Sequence, residues 1–348
     1  MTHTDSSLLL KPFCIGKVTI PNPLVLAPLA GITDSVFRGL LRELGAGLAY
    51  TEMISCQALH YNNSKTLKIA DFDPDELPLC AQIFGSEPDL MAEAARKIEK
   101  LGYSIIDINM GCSVPKVVKS GAGSSLCRNP DRVARIVSAV AEAVSIPVTI
   151  KIRLGWSLQE LSARTVIETA YQNGAVAVAV HGRTSSQKFS GHADWKAIGE
   201  IAKDSPIPVI GNGDIKTPRE AENRLSDYNC VGIMIGREAM YYPWIFQDTL
   251  HHLKGRPIPP PPCPHDLKQF ILQQLSGLAK KWGRQSASEK MRKFASWYTR
   301  GLPGSSRFRQ GVFETRTYEQ MVDIVNGYFD RLSRRNIPVR LQPTDTER

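Results

Sequence analysis

The chain of 348 residues is 42% hydrophobic and carries a formal charge of +9, enough length for a large buried core and for one big domain with an appendage. No apolar run reaches the roughly eighteen residues needed to cross a bilayer, and the opening MTHTDSSLLLKPF lacks the basic start of a secretory signal. Seven cysteines, at 14, 56, 80, 112, 127, 230 and 263, form no C-x-x-C pair, which argues against a disulfide scaffold, a zinc ribbon or any metal centre and for reduced thiols in a cytoplasm.

Short apolar runs follow one another along the chain: PLVLAP, GLAYTE, LCAQIFG, SIIDIN, PVTIKI, AVAVAVH, PVIGNGD and CVGIMIGR. Amphipathic segments of helical period lie between most of them, such as DLMAEAARKIEKLG and DRVARIVSAVAEAVS. The second of these is preceded by Asn129, a suitable N-cap, and Pro130, suited to the first helical position. Strands alternating with helices predict a parallel sheet buried on both faces. Eight such units within residues 1–254 predict an α/β fold, a (β/α)8 TIM barrel. The alternative is an open doubly wound sheet, but no G-x-G-x-x-G follows the first strand.

Residues 255–264, GRPIPPPPCP, cannot form a helix interior and read as a stiff linker. Beyond it, HDLKQFILQQLSGLAKKW and YEQMVDIVNGYFDRLSRR have helical period, so residues 265–335 are expected to form a small all-helical domain, with 336–348 a tail. From His265 onward 16 Lys and Arg face 8 Asp and Glu, a net +8 that leaves only +1 for residues 1–264. A charge run is often just a solvated face, yet so lopsided a distribution points to a polyanionic partner such as nucleic acid.

In an eight-stranded barrel the active site lies at the C-terminal strand ends. Those ends supply Pro28 with Ala30 and Gly31, Glu52, Gln82, Asn109 with Cys112, Lys151 with Arg153, His181 with Arg183, Asn212 to Asp214, and Gly236 with Arg237. A lysine ending a strand is usually solvated and a lone histidine usually structural. Polar residues at nearly every end are what indicate a site. GNGDI and IGR place glycines where main-chain amides can approach an anion, with Arg237 beside them, at the usual phosphate site of such barrels. The phosphate could belong to a sugar phosphate or to a flavin mononucleotide. Lys151 would put positive charge beside the N1–C2=O edge of a reduced flavin, which favours the flavin.

Together these segments resemble the tRNA-dihydrouridine synthases, in their bacterial B-type branch. The resemblance runs from IGKVTIPNPLVLAPLAGITDSVFR through AQIFGSEP, DINMGC, KIRLGW, VHGRT, PVIGNGDI and MIGREAMYYPWIF to RKFASWYTRGLPG. It implies that Pro28, Leu29, Ala30, Gln82, Lys151, His181, Asn212, Gly213, Asp214, Gly236 and Arg237 hold FMN. It implies that Cys112 is the catalytic cysteine and that Asn109 lies against the target uracil, with Arg183, Lys116 and Lys119 also on the substrate side. The implied reaction is reduction of uridine to 5,6-dihydrouridine in tRNA, with NADPH or NADH as reductant, by a monomer with no membrane contact. The chain departs from the family pattern NMGCP: here NMGCSVPK displaces the proline to Pro115.

Such a reaction needs a proton donor across the uracil ring from the flavin. A thiol, with an ordinary pKa of about 8.5, is mostly protonated at neutral pH yet far more acidic than a hydroxyl. The glycines and serines after Cys112 are expected to let its loop move, and a stacked uridine must be extruded to reach a barrel mouth. Two other readings share parts of this pattern. A free-pyrimidine reductase of the dihydroorotate dehydrogenase kind would share barrel and FMN but have no use for a basic appendage, and a non-catalytic RNA-binding scaffold would need no intact strand-end set.

Overall fold

All eight apolar runs form parallel strands in the structure, a computed structural model that describes residues 6–334. They are β1 (Leu24–Leu26), β2 (Leu48–Tyr50), β3 (Leu79–Phe84), β4 (Ile105–Met110), β5 (Val148–Arg153), β6 (Ala177–His181), β7 (Val209–Asn212) and β8 (Gly232–Ile235). Each pairs with the next, and β8 returns to β1, so the sheet closes into a barrel. Closure excludes the open-sheet alternative. A two-residue strand, Ile54–Ser55, extends the sheet beside β3.

Helices α1 (Ser35–Glu43), α2 (Pro88–Lys100), α3 (Pro130–Ala143), α4 (Ala163–Gln172), α5 (Trp195–Asp204), α6 (Pro218–Asp227) and α7 (Ile245–Leu253) surround the barrel. Asn129 caps α3 as expected, its side chain accepting from the Arg132 N–H, and Pro130 takes the first position, where no N–H is needed. Strand residues alternate. Ile106, Ile108, Ile150, Ile152, Val178 and Val180 point outward into the core shared with the helices. Val25, Leu48, Cys80, Ile105, Ala177 and Met234 point inward and fill the lower barrel. An N-terminal hairpin of Phe13–Ile15 and Val18–Ile20 adds Ile15 and Ile20 to that inner cluster and plugs the bottom. Sequence periodicity did not show it, because each of its strands is three residues long.

Residues 256–263 carry no helix or strand, and Pro264, the last residue of the expected linker 255–264, opens the next helix. Beyond them lie α8 (Pro264–Trp282), α9 (Arg284–Tyr298), α10 (Ser305–Glu314) and α11 (Tyr318–Arg334). Residue 335 and the expected tail at 336–348 lie outside the described residues. The helical unit is not suspended from its linker. Phe294 of α9 stacks near Phe37 of α1, ring centroids 5.3 Å apart, and Phe270 of α8 lies 4.8 Å from Trp244. Gly277 lets α8 approach α1 closely, since a Cβ there would come within 2.7 Å of a Val36 methyl. Lys281 pairs with Asp71 at 3.1 Å and Lys290 with Asp34 at 3.5 Å, completing the junction. Among the described residues no helix is long and apolar enough to cross a membrane.

Candidate active site

The period of two that buries Ile106 and Ile108 outward turns Asp107 and Asn109 inward on β4, and likewise Thr149, Lys151 and Arg153 on β5. Register brings these side chains level with one another. Gln82 lies opposite Asp107, Asp107 opposite Thr149, Asn109 opposite Lys151, and His181 between Arg153 and Asn212. A polar layer therefore replaces the apolar filling in the upper barrel.

Its deepest member is Asp107, which is fully buried. The carboxylate accepts from Thr149 Oγ1 at 2.8 Å and from Gln82 Nε2 at 2.8 Å. Being able only to accept, it fixes the Gln82 amide with its carbonyl toward Asn109, whose Nδ2 donates to Gln82 Oε1 at 2.8 Å. Asn109 is thereby turned so that its own carbonyl accepts the Cys112 N–H at 3.0 Å. A buried carboxylate thus orients, through two amides, the loop that carries the thiol. Burial raises the Asp107 carboxyl to about 6, opposed by the Gln82 and Thr149 hydrogen bonds and by Lys151. The sequence signal was an acidic residue inside an apolar strand, two positions before Asn109.

Lys151 donates to Asn212 Oδ1 at 3.2 Å, and Asn212 in turn donates to the Met234 carbonyl at 2.8 Å. Burial lowers the Lys151 ammonium to about 8, with Arg153 adding to the shift and Asp107 and Cys112 opposing it. His181 is held well below its ordinary range by burial and by Lys151, Arg153, Arg183 and Arg237 around it. It is therefore neutral at neutral pH. Its Nε2 lies 3.4 Å from Arg183 Nη1, a group that only donates, so Nε2 accepts and the proton sits on Nδ1.

At the ends of β7 and β8, Gly213 (φ +136°) and Asp214 (φ +47°) bend the chain away from extended geometry. A Cβ on Gly213 would meet that of Ala193 at 2.5 Å. Among the described residues no protein acceptor takes the N–H groups of Gly213, Asp214, Gly236 or Arg237. The Asp214 carboxylate accepts from Arg183, Arg237 and the Ala193 N–H, each at 2.7 Å, so only its main chain is free to meet a ligand. Arg237 is half exposed. Open amides beside an exposed guanidinium form an anion cradle.

Cys112 is partly exposed on the turn after β4. Its carbonyl accepts from the Ser124 N–H at 3.0 Å, an approach that Gly123 permits because a Cβ there would lie 2.6 Å from the same oxygen. The segment expected to be a loose Gly/Ser loop is folded instead. Pro115 opens a one-turn helix, Pro115–Lys119, and a 3-10 helix follows at Gly123–Arg128. The displaced proline thus occupies a first helical position, where it is well suited. Lys116 and Lys119 are exposed on that turn.

Arg183, expected on the substrate side, is buried, and its guanidinium donates to the Ser190 and Gly191 carbonyls as well as to Asp214. Arg153 donates to the Gly111, Thr184 and Lys188 carbonyls, joining the loop after β4 to the loop after β6. The two arginines brace residues 184–191, which present an exposed Phe189 with the Arg153 and Arg237 guanidinium groups 5.6 and 5.7 Å from its ring centre. Sequence reading missed Phe189. Its signal was a lone aromatic within the polar run GRTSSQKFSG.

The β1 loop of Pro28, Leu29 and Ala30 closes the remaining side, tied by the Leu29 N–H to Thr33 Oγ1 at 3.1 Å. The mouth therefore joins an anion cradle, a lysine–histidine–asparagine wall and a partly exposed thiol.

A model of the family described as dihydrouridine synthase (Dus) matches residues 25–331. A tRNA-dihydrouridine synthase B of Xanthomonas campestris is 41% identical over 91% of this chain and 96% of its own length. Proteins of the same description from Pseudomonas aeruginosa and Vibrio cholerae are 40% and 38% identical over 85% and 92% of the chain, and over 89% and 99% of their own. Among solved structures, histamine dehydrogenase from Rhizobium sp. 4-9 superposes with a TM-score of 0.60 at 13% identity, over 95% of this chain and 65% of that one, a likeness of fold.

Proposed function

This chain belongs to the dihydrouridine synthase family, and from that premise we propose that it reduces uridine to 5,6-dihydrouridine in tRNA, with FMN as cofactor and NADPH or NADH as reductant. The observation that carries the reading is the mouth itself, where the anion cradle, Lys151 and Cys112 converge on one opening. The donor set suits FMN. The Gly213, Asp214, Gly236 and Arg237 amides with the Arg237 guanidinium would take its phosphate, and Pro28, Leu29, Ala30, Gln82, Lys151, His181 and Asn212 would border its ring. Bound there, the flavin would supply hydride chemistry toward uracil C6, with the nicotinamide as the source of its electrons.

The remaining work falls to the chain. Lys151 holds a positive charge at the wall, where negative charge is favoured, and neutral His181 offers an Nδ1 proton. Asn109 lies against the uracil and holds the Cys112 amide. Cys112 Sγ delivers the proton to uracil C5. Arg183 and Arg153 keep the rim in shape, while Lys116, Lys119 and the basic helical domain of residues 265–335 meet RNA phosphates. All seven cysteines are free, in keeping with a reducing cytoplasm. The enzyme acts as a monomer.

The direct test supplies the purified protein with FMN, NADPH or NADH, and either unmodified tRNA or free uracil, and measures dihydrouridine. Product on tRNA and none on uracil is the expected result. Turnover of uracil alone would favour the free-pyrimidine reductase.

Two consequences follow from the cationic groups. Arg237→Ala removes a charge-assisted partner of the phosphate, which contributes about 1.5–3 kcal/mol, so FMN should bind about 10- to 100-fold more weakly while saturating FMN restores most activity. Unchanged flavin content on purification would show that the phosphate sits elsewhere. Lys151 titrates near pH 8 and is charged below that point. The rate of reduction by the nicotinamide should therefore fall as pH rises through about 8, and Lys151→Met should lower the rate and abolish that limb. A limb that persists in the variant would assign it to another group.

A further inference from the structure

The excess charge of the C-terminal helices suggests that their lysines meet RNA, yet Lys293 of α9 faces the other way. Its ammonium donates to the carbonyl of Gly31, a residue 262 positions away at the end of the β1 loop. The Gly31 N–H is taken by the buried Glu52 carboxylate. Gly31 sits at φ +73°, in the left-handed region that favours glycine, and both of its main-chain polar groups are thus held by side chains. Within the same loop the Leu29 carbonyl accepts from the Ile32 and Thr33 amides at 3.0 Å each. Burial and the neighbouring Lys290 lower the Lys293 ammonium, while Glu52 and Asp34 oppose them. One turn earlier, Lys290 pairs with Asp34, whose side chain caps α1 by accepting from the Phe37 N–H at 3.1 Å.

We propose that Lys293 is a positioning residue of the cofactor site: from the appended helical domain it fixes the main chain of the Pro28–Gly31 loop and so ties cofactor retention to docking of that domain. The inference rests on the reading that this loop borders the flavin. A carbonyl pinned by a cation and an amide pinned by a carboxylate leave the loop one conformation, so the flavin spends no binding energy on ordering it. A lysine serving only RNA would be solvated and would leave flavin binding untouched.

The test is FMN titration of the flavin-free full-length chain, followed by flavin fluorescence, together with the salt dependence of tRNA binding. Lys293→Met should weaken FMN binding about tenfold or more, with the slope of log K against log salt unchanged. Lys293→Arg, which can still donate to the Gly31 carbonyl, should recover part of the loss. Lys290→Met removes a neighbouring junction contact without touching the loop and should keep FMN affinity within about twofold. Should the methionine variant fail to fold, Lys293→Gln carries the same measurement.

Unchanged FMN affinity in the Lys293 variants overturns the proposal. So does an equal loss in Lys290→Met, which would mean general undocking. A salt slope flattened by about 0.7–0.9 with normal FMN binding would make Lys293 an RNA contact instead. Failure of the unaltered chain to bind FMN would retire the flavin reading itself, an outcome distinct from all of these.

Discussion

Cys112→Ala is expected to lower dihydrouridine formation by about 10²-fold or more, the usual scale for loss of a general acid, while FMN stays bound and reducible by the nicotinamide. The structure separates the two properties. The anion cradle lies at the ends of β7 and β8, whereas Cys112 lies after β4, held by the Asn109 carbonyl and the Ser124 amide through its main chain alone. Removing Sγ leaves both of those bonds and the buried Asp107–Gln82–Asn109 relay intact, so the loop keeps its place and only the proton is lost. Cys112→Ser should recover little, because a hydroxyl is a much weaker acid than a thiol. The measurement is dihydrouridine formed per flavin in single-turnover reactions with unmodified tRNA. Near-normal product from the alanine variant would remove Cys112 from the chemistry.

The barrel was legible because parallel strands covered on both faces read as short apolar runs, and all eight runs became strands. Its upper polar layer was legible at Gln82, Asn109, Lys151 and His181, the polar residues in or near the C-terminal half of their runs. Asp107 escaped notice because its significance depends on Gln82 and Thr149 from neighbouring strands, partners that only register reveals. Glycine was ambiguous in a different way. Gly121 and Gly123, read as sources of freedom, sit at φ +75° and +62° and make the turns that fold the Cys112 segment. Arginine carried no signal of direction: Arg183 and Arg237 have the same charge, yet one is buried as a brace and the other is half exposed. Helices α9 and α10, within the expected all-helical span, were not singled out because their buried stripes mix small and polar residues with the apolar ones: Ala287, Ser288, Met291, Phe294, Ala295 and Tyr298 in α9, and Ser305, Phe308 and Val312 in α10.

The junction between the helical domain and the barrel sets the second large effect. Phe294→Ala should destabilise the protein by about 3–5 kcal/mol, the usual cost of removing a fully buried phenylalanine. The ring lies 5.3 Å from Phe37, 5.6 Å from Trp297 and 6.0 Å from Tyr298, centroid to centroid, and neither Phe294 nor Phe37 is exposed to solvent. Its loss opens a cavity shared by α9 and α1. The helix α1 is tied to the barrel through Arg38, fully buried and paired with Glu76 at 2.5 Å, and it begins immediately after the cofactor loop. Damage on the helical side therefore reaches the barrel, and denaturant unfolding should remain one transition at a lower midpoint by every probe. For the same reason, cutting the chain after Pro262 should yield an aggregating barrel rather than a free flavoprotein, since Phe37, Val36 and Trp244 would lose their cover. Two separate transitions, with only the helical one moved by Phe294→Ala, would show instead that the domains fold independently and that the junction is a late, weak contact.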